Sequence, residues 1–112
     1  MPLKADWAYD FSCDQLLETI CAIFNTAGPW KWQVRDSYMY GSYLNTRPAA
    51  GVHVRVHEYP QAFIKGPREK GFLALLQIEA DSLVEKIEVD GVFRGLLSRV
   101  MATDITEIEP YD

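Results

Sequence analysis

The chain has 112 residues, of which 48% are hydrophobic and 24% are charged. These proportions are typical of a folded globular domain, so they exclude a largely disordered chain, a collagen-like repeat and a coiled-coil rod. A chain of this length is expected to form one domain spanning residues 1–112. The formal net charge of −5 argues against a general polyanion binder, so nucleic acid is not an expected partner.

The sequence does not predict export or membrane insertion. The longest apolar runs, such as residues 72–76, are far shorter than the roughly 18 residues of a membrane span. The first residues lack the pattern of a secretory signal. Cys13 and Cys21 are eight positions apart in a predicted helix, about 12 Å, which is too far for a disulfide. We therefore expect a soluble cytoplasmic protein with two reduced thiols.

Residues 12–26 have the pattern of an amphipathic helix. Ser12 suits the N-cap position, and Gln15 completes a capping box three residues later. Apolar residues recur at helical spacing and form one face: Cys13, Leu16, Leu17, Ile20, Cys21, Ile23 and Phe24. Gly28 and Pro29 are expected to end this helix.

Residues 30–43 are rich in aromatic side chains, which favour a β-strand. Strict alternation places Trp32, Val34, Asp36, Tyr38 and Tyr40 on one side and Gln33, Arg35, Ser37 and Met39 on the other. A carboxylate within an aromatic stripe needs a partner, so Asp36 is either part of a polar site or is turned toward water by a bulge. Residues 44–51 predict a loop.

Residues 52–58 alternate most regularly. The three valines of this segment would point to one face, and His53, Arg55 and His57 would point to the other. This is the pattern of an antiparallel strand with one covered and one wetter face. Beyond Pro60, residues 62–65 predict a short strand.

The following segment predicts a hairpin and then a second regular strand. Residues 66–71 have the composition of a charged hairpin loop, and residues 72–79 predict a strand whose first half is apolar on both faces. Such a strand is either central in its sheet or presents its outer face, with Leu73 and Leu75, to a partner.

The last third of the chain is ambiguous. Two apolar stripes with helical spacing are out of phase with each other, and Gly91 lies between them. The pattern leaves open whether residues 82–89 form a strand or a helix. We favour a strand over residues 83–89, a helix over 91–102 capped by Asp90, and a final strand over 103–109. Together the elements predict an α+β two-layer sandwich, in which two helices cover one face of a mainly antiparallel sheet of four or five strands.

The sequence contains no phosphate-binding loop, nucleophile elbow or zinc-finger spacing, and it predicts neither a cofactor nor a metal site. On a strand, His53 and His57 would lie about 13 Å apart, too far to share one zinc ion. Because the sequence shows no catalytic motif, it favours a non-enzymatic protein. An enzymatic alternative would use Asp36 with His53 or His57 as proton-transfer groups.

Charge is unevenly distributed along the chain. Residues 31–70 carry a net charge of +4, whereas residues 1–30 carry −3 and residues 79–112 carry −6. The central block also holds the candidate binding residues: Arg35, Asp36, Tyr38, Tyr40, Tyr43, His53, Arg55 and His57. Aromatic and arginine side chains are enriched where proteins bind each other.

Two functions follow from this distribution. The first is an interaction protein that binds another protein, as an inhibitor or immunity protein does, or that binds a second copy of itself. The alternative is a domain that binds a small anionic ligand, or single-stranded nucleic acid, on the basic and aromatic face of the sheet.

Overall fold

The computed structural model describes residues 2–37, 41–58 and 71–109. Its elements follow one another as β1 (Leu3–Ser12), α1 (Leu17–Ala27), β2 (Gln33–Ser37), β3 (Gly41–Thr46), β4 (Val52–Glu58), β5 (Gly71–Glu79), α2 (Lys86–Arg99) and β6 (Thr103–Ile108). In the part of the chain that is described, neither helix is long and apolar enough to cross a membrane.

The strands form one six-stranded sheet in the order β2-β3-β4-β5-β1-β6, and every pairing is antiparallel. The predicted α+β class is therefore confirmed, whereas the predicted count of four or five strands is wrong. β4 and β6 form where strands are predicted, and β5 occupies a central position between β4 and β1.

Both helices pack on the same face of the sheet. Phe93 of α2 is fully buried, and its ring lies 6.1 Å from the ring of Tyr9 on β1 and 6.4 Å from that of Phe24 on α1. Trp32, just before β2, closes the cluster at 6.5 Å from Phe93. These contacts join the elements into one core, in which β4 and β5 turn their alternate apolar residues toward the helices.

β1 is the element that the sequence did not predict. The helix expected from residue 12 begins at Leu17, and Leu16, which occupies its N-cap position, makes no side-chain capping bond. Ser12 instead ends β1, which pairs with β5 on one side and β6 on the other. Two ladders of hydrogen bonds outweigh the local capping signal.

The two cysteines are buried and are not joined by a disulfide, and, contrary to the prediction, they do not share a helix. Cys21 lies in α1, whereas Cys13 precedes it. The Cys13 thiol donates a hydrogen bond to the carbonyl of Val100 at 3.3 Å.

The aromatic segment forms two strands and not one. β2 pairs with β3 along the full length of β2. Because β3 extends to Thr46, the prediction of a loop over residues 44–51 is wrong for its first three residues. The Thr46 hydroxyl is buried and donates to the carbonyl of Lys31 at 2.7 Å. The strand predicted over 62–65 lies outside the described residues, as does the hairpin loop predicted over 66–71 except for Gly71, which begins β5.

α2 contains residues 91–99 of the predicted helix but begins earlier, at Lys86, so the strand predicted over 83–89 is wrong. A capping box between Glu85 and Glu88 starts it, so Asp90 lies within the helix and does not cap it. Leu83 and Ile87, which belong to the first apolar stripe, are 95% and 81% exposed. Of the first stripe only Val84 packs against the core, whereas the second stripe is buried, so the two stripes do not compete for the sheet.

Candidate functional site

Strand pairing brings Arg35, Tyr43 and His57 into one row on the side of the sheet opposite the helices. Arg35 pairs with Tyr43, and Tyr43 pairs with His57. Residues paired across antiparallel strands project to the same side. The neighbouring pair of Val34 with the buried Leu44 projects toward the helices, so this row projects away from them.

We call this side the outer face. It consists of alternate residues from all six strands: Gln33, Arg35, Tyr43, Asn45, His53, Arg55, His57, Leu73, Leu75, Gln77, Asp6, Ala8, Asp10, Thr106 and Ile108. The candidate residues Arg35, Tyr43, His53, Arg55 and His57 are thus brought together on one surface.

Contacts within the outer face fix its aromatic and histidine side chains. The rings of Tyr43 and His57 stack at 4.7 Å with an interplanar angle of 16°. The Nε2 of His53 hydrogen-bonds with the side-chain oxygen of Asn45 on the neighbouring strand. The surface is therefore ordered before any partner arrives, which reduces the entropy lost on binding.

Both histidines are neutral near pH 7. Burial lowers the pKa of His53 from 6.5 to about 4, with further lowering from the positive charges of Arg47 and Arg55. Burial also lowers the pKa of His57, and Arg55 contributes in the same direction. The positive charge of this half of the face consequently comes from its arginines.

The low pKa of His53 predicts acid sensitivity. The unfolded chain binds a proton at this residue near pH 6.5, whereas the folded chain resists protonation until about pH 4. Protonation therefore favours unfolding, and stability should fall as the pH drops through this window. In the His53→Gln variant, denaturant unfolding measured from pH 7.5 to pH 4 should show a smaller decline than in the wild type. Parallel declines would contradict this assignment.

Asp36 lies apart from this surface. It pairs with Ser42 on the side of the sheet that carries the helices, at the exposed edge, and accepts a hydrogen bond from the Ser42 hydroxyl at 2.7 Å. It therefore cannot share a reacting atom with His53 or His57, which project to the other side. This removes the geometric basis of the enzymatic alternative.

Tyr38 and Tyr40 lie outside the described residues. Among residues 2–37, 41–58 and 71–109, no group of three or more His, Cys, Asp or Glu side chains is placed to hold a metal ion.

The sequence did not identify the acidic part of the outer face. Asp6 pairs with Gln77, and Asp10 pairs with Leu73, so β1 places two carboxylates on the same surface as the arginines. Their signal is the alternation of these aspartates with the buried Trp7 and Tyr9. This alternation predicts that the two aspartates share one face of a strand, but their place beside the arginines depends on the pairing of β1 with β5.

A cleft of about 220 Å³ lies on the helix side, where α2 meets the segment before β4. Its lining is mainly apolar and consists of Trp30, Pro48, Ala49, Val52, Val84, Glu88, Val89 and Val92. Glu88 is the one charged residue of this lining, and its carboxylate already accepts a hydrogen bond from the Glu85 backbone at 2.9 Å. The cleft is smaller than most small-molecule sites and offers no further charged group.

Comparison with known proteins gives no independent guide to function. No protein-family model matches the chain, and no curated protein is similar to it.

Proposed function

We propose that the chain is a non-enzymatic binding domain that contacts another protein through its outer face. The observation that carries this proposal is the arrangement of that face. Leu73 and Leu75 lie near its centre on β5, the arginines lie to one side and the aspartates to the other. An apolar centre with charged groups around it is the usual anatomy of a protein interface.

The charges of the outer face support an external partner. The ion pairs among the described residues join Lys4 to Glu85, Lys86 to Glu107 and Arg94 to Asp90, and none of them includes an outer-face residue. Charges outside these internal ion pairs are available to a partner from outside, and complementary charges across an interface favour specificity and fast association.

Site-specific photo-crosslinking tests the proposal. A benzoylphenylalanine residue replaces Tyr43 in the tagged chain, and the matched control carries it at Ile87, which is exposed on α2. Irradiation should give a covalent protein adduct at position 43, no such adduct at position 87, and a weaker adduct when Arg55→Glu is added. Equal adducts at both positions, or no protein adduct at position 43, would overturn the proposal.

The second candidate is a small anionic ligand on the basic half of the outer face. It is favoured by the placement of Arg35 and Arg55 on the same side of the sheet. The aspartates of β1 disfavour a long polyanion on this surface. Failure of the crosslinking test, together with a rise in melting temperature in inorganic phosphate that Arg55→Ala abolishes, would favour this candidate.

A further inference from the structure

The outer face is divided into two halves of opposite charge. Arg35 and Arg55 lie on β2 and β4, and Arg47 follows β3, close enough to His53 to lower its pKa. Asp6 and Asp10 lie on β1. Because the sheet order is β2-β3-β4-β5-β1-β6, the boundary between the halves runs along the middle of the sheet, between β4 and β5.

The acidic half includes an incompletely bonded carboxylate. One side-chain oxygen of Asp6 is buried and has no hydrogen-bond partner in the described part of the chain. A buried acceptor without a donor costs free energy, and rotation of the carboxylate would let an incoming guanidinium supply one.

Such a face is complementary to itself in one orientation. In this orientation the two-fold axis lies between the two facing sheets, runs parallel to the strands and passes over the boundary between β4 and β5. It places β3 over β1 of a second copy and β4 over its β5. A two-fold axis across the strands would lay each strand over its own counterpart and would oppose like charges. The charge pattern therefore selects the first orientation.

The register then specifies which residues meet. Arg35, Tyr43, His57, Leu73 and Asp10 form one row across the sheet. Rotation about the axis places Tyr43 over Asp10 of the second copy and His57 over its Leu73. Arg35 is one strand spacing, about 4.8 Å, from the position above that aspartate, which is within the reach of its side chain.

We infer that the protein bound by the outer face is a second copy of this chain, packed sheet against sheet in this orientation. The inference rests on the proposed function and names its partner. Six strands spaced about 4.8 Å apart, each exposing about 20 Å of its length, give a footprint of about 600 Å² per copy, near the lower end for specific interfaces. Symmetric dimers commonly use one patch twice in this way.

Charge reversal tests the inference by sedimentation. The wild type should be dimeric at about 10 μM. Arg35→Glu alone opposes two carboxylates at each symmetric contact, and Asp10→Lys alone opposes two cations. Each single variant should therefore weaken self-association on the order of 100-fold.

An equimolar mixture of the two variants should associate again. In a mixed pair, the carboxylate introduced at position 35 of one copy would meet the ammonium introduced at position 10 of the other, and the second contact would remain Arg35 with Asp10. This recovery also shows that both variants are folded. The matched control, Arg99→Glu at the exposed end of α2, should dimerise like the wild type.

Three outcomes would overturn the inference: a wild type that stays monomeric at about 100 μM, single variants that dimerise normally, or a mixture that stays monomeric. Its failure is distinguishable from failure of the proposed function. A crosslinked adduct at position 43 with a different protein would retain the proposed function and reject the second copy.

Discussion

Phe93→Ala is expected to lower the free energy of unfolding by about 3–5 kcal/mol, the usual cost of truncating a buried phenylalanine. The side chain is fully buried, and its ring contacts those of Tyr9, Phe24 and Trp32. These neighbours belong to β1, to α1 and to the segment before β2. Because three separate elements meet at this ring, no one of them can move to fill the cavity without losing its other contacts.

Ile87→Ala is the matched control for this experiment. It removes a large apolar side chain from the same helix, but Ile87 is 81% exposed, so its effect should be within about 0.5 kcal/mol. Urea unfolding of both variants at one pH gives the comparison. A similar loss in the two variants, or a loss below about 1 kcal/mol for Phe93→Ala, would show that the core is not organised around this ring.

The sequence predicted the structure best where the residue pattern of a segment matches its position in the folded domain. The alternation of residues 52–58 predicted both the strand β4 and its faces, because the buried valines and the half-buried His53, Arg55 and His57 follow the pleat. The strand β5 was also predicted, and of the two readings that its apolar first half left open, the structure shows the central position.

The sequence was least informative for β1 and α2. β1 is stabilised by pairing with β5 and β6, which are distant in the chain, and the Ser12 and Gln15 capping signal competed with its alternation. The N-cap residue of α2 is Glu85, and glutamate is a weak N-cap signal unless it is considered together with Glu88, its partner in the capping box.

The sequence predicted the basic and aromatic residues of the outer face but not its acidic residues. The central basic block indicated the arginine half, which β2, β3 and β4 assemble through local hairpin-like pairing. The acidic half depends on the insertion of β1 between β5 and β6, a pairing between the two ends of the chain. No local pattern could indicate that Asp6 and Asp10 share a face with Arg35.

A polar network joins β1 to α2 at Asp90. Its carboxylate accepts hydrogen bonds from the Tyr9 hydroxyl, from Trp7 Nε1 at 3.1 Å and from Arg94 Nε at 3.0 Å. Burial raises the pKa of Asp90, but the hydrogen bonds from Tyr9, Arg94 and Trp7 outweigh it and hold that pKa below its usual value. Burial, with the Asp90 carboxylate, also raises the pKa of Tyr9 to about 12.

Asp90→Ala is therefore expected to lower the free energy of unfolding by about 2–4 kcal/mol, because it leaves the Tyr9 hydroxyl and the Trp7 indole without an acceptor. Tyr9→Phe should cost less, about 1 kcal/mol, since Asp90 keeps its bonds from Trp7 and Arg94. Asp81→Ala, at an exposed turn, is the control and should change stability by less than about 0.5 kcal/mol. Chemical denaturation near pH 7 measures all three. If Asp90→Ala were as mild as Asp81→Ala, the network would contribute nothing to holding α2 on the sheet, and burial of the apolar residues of α2 would have to account for that packing.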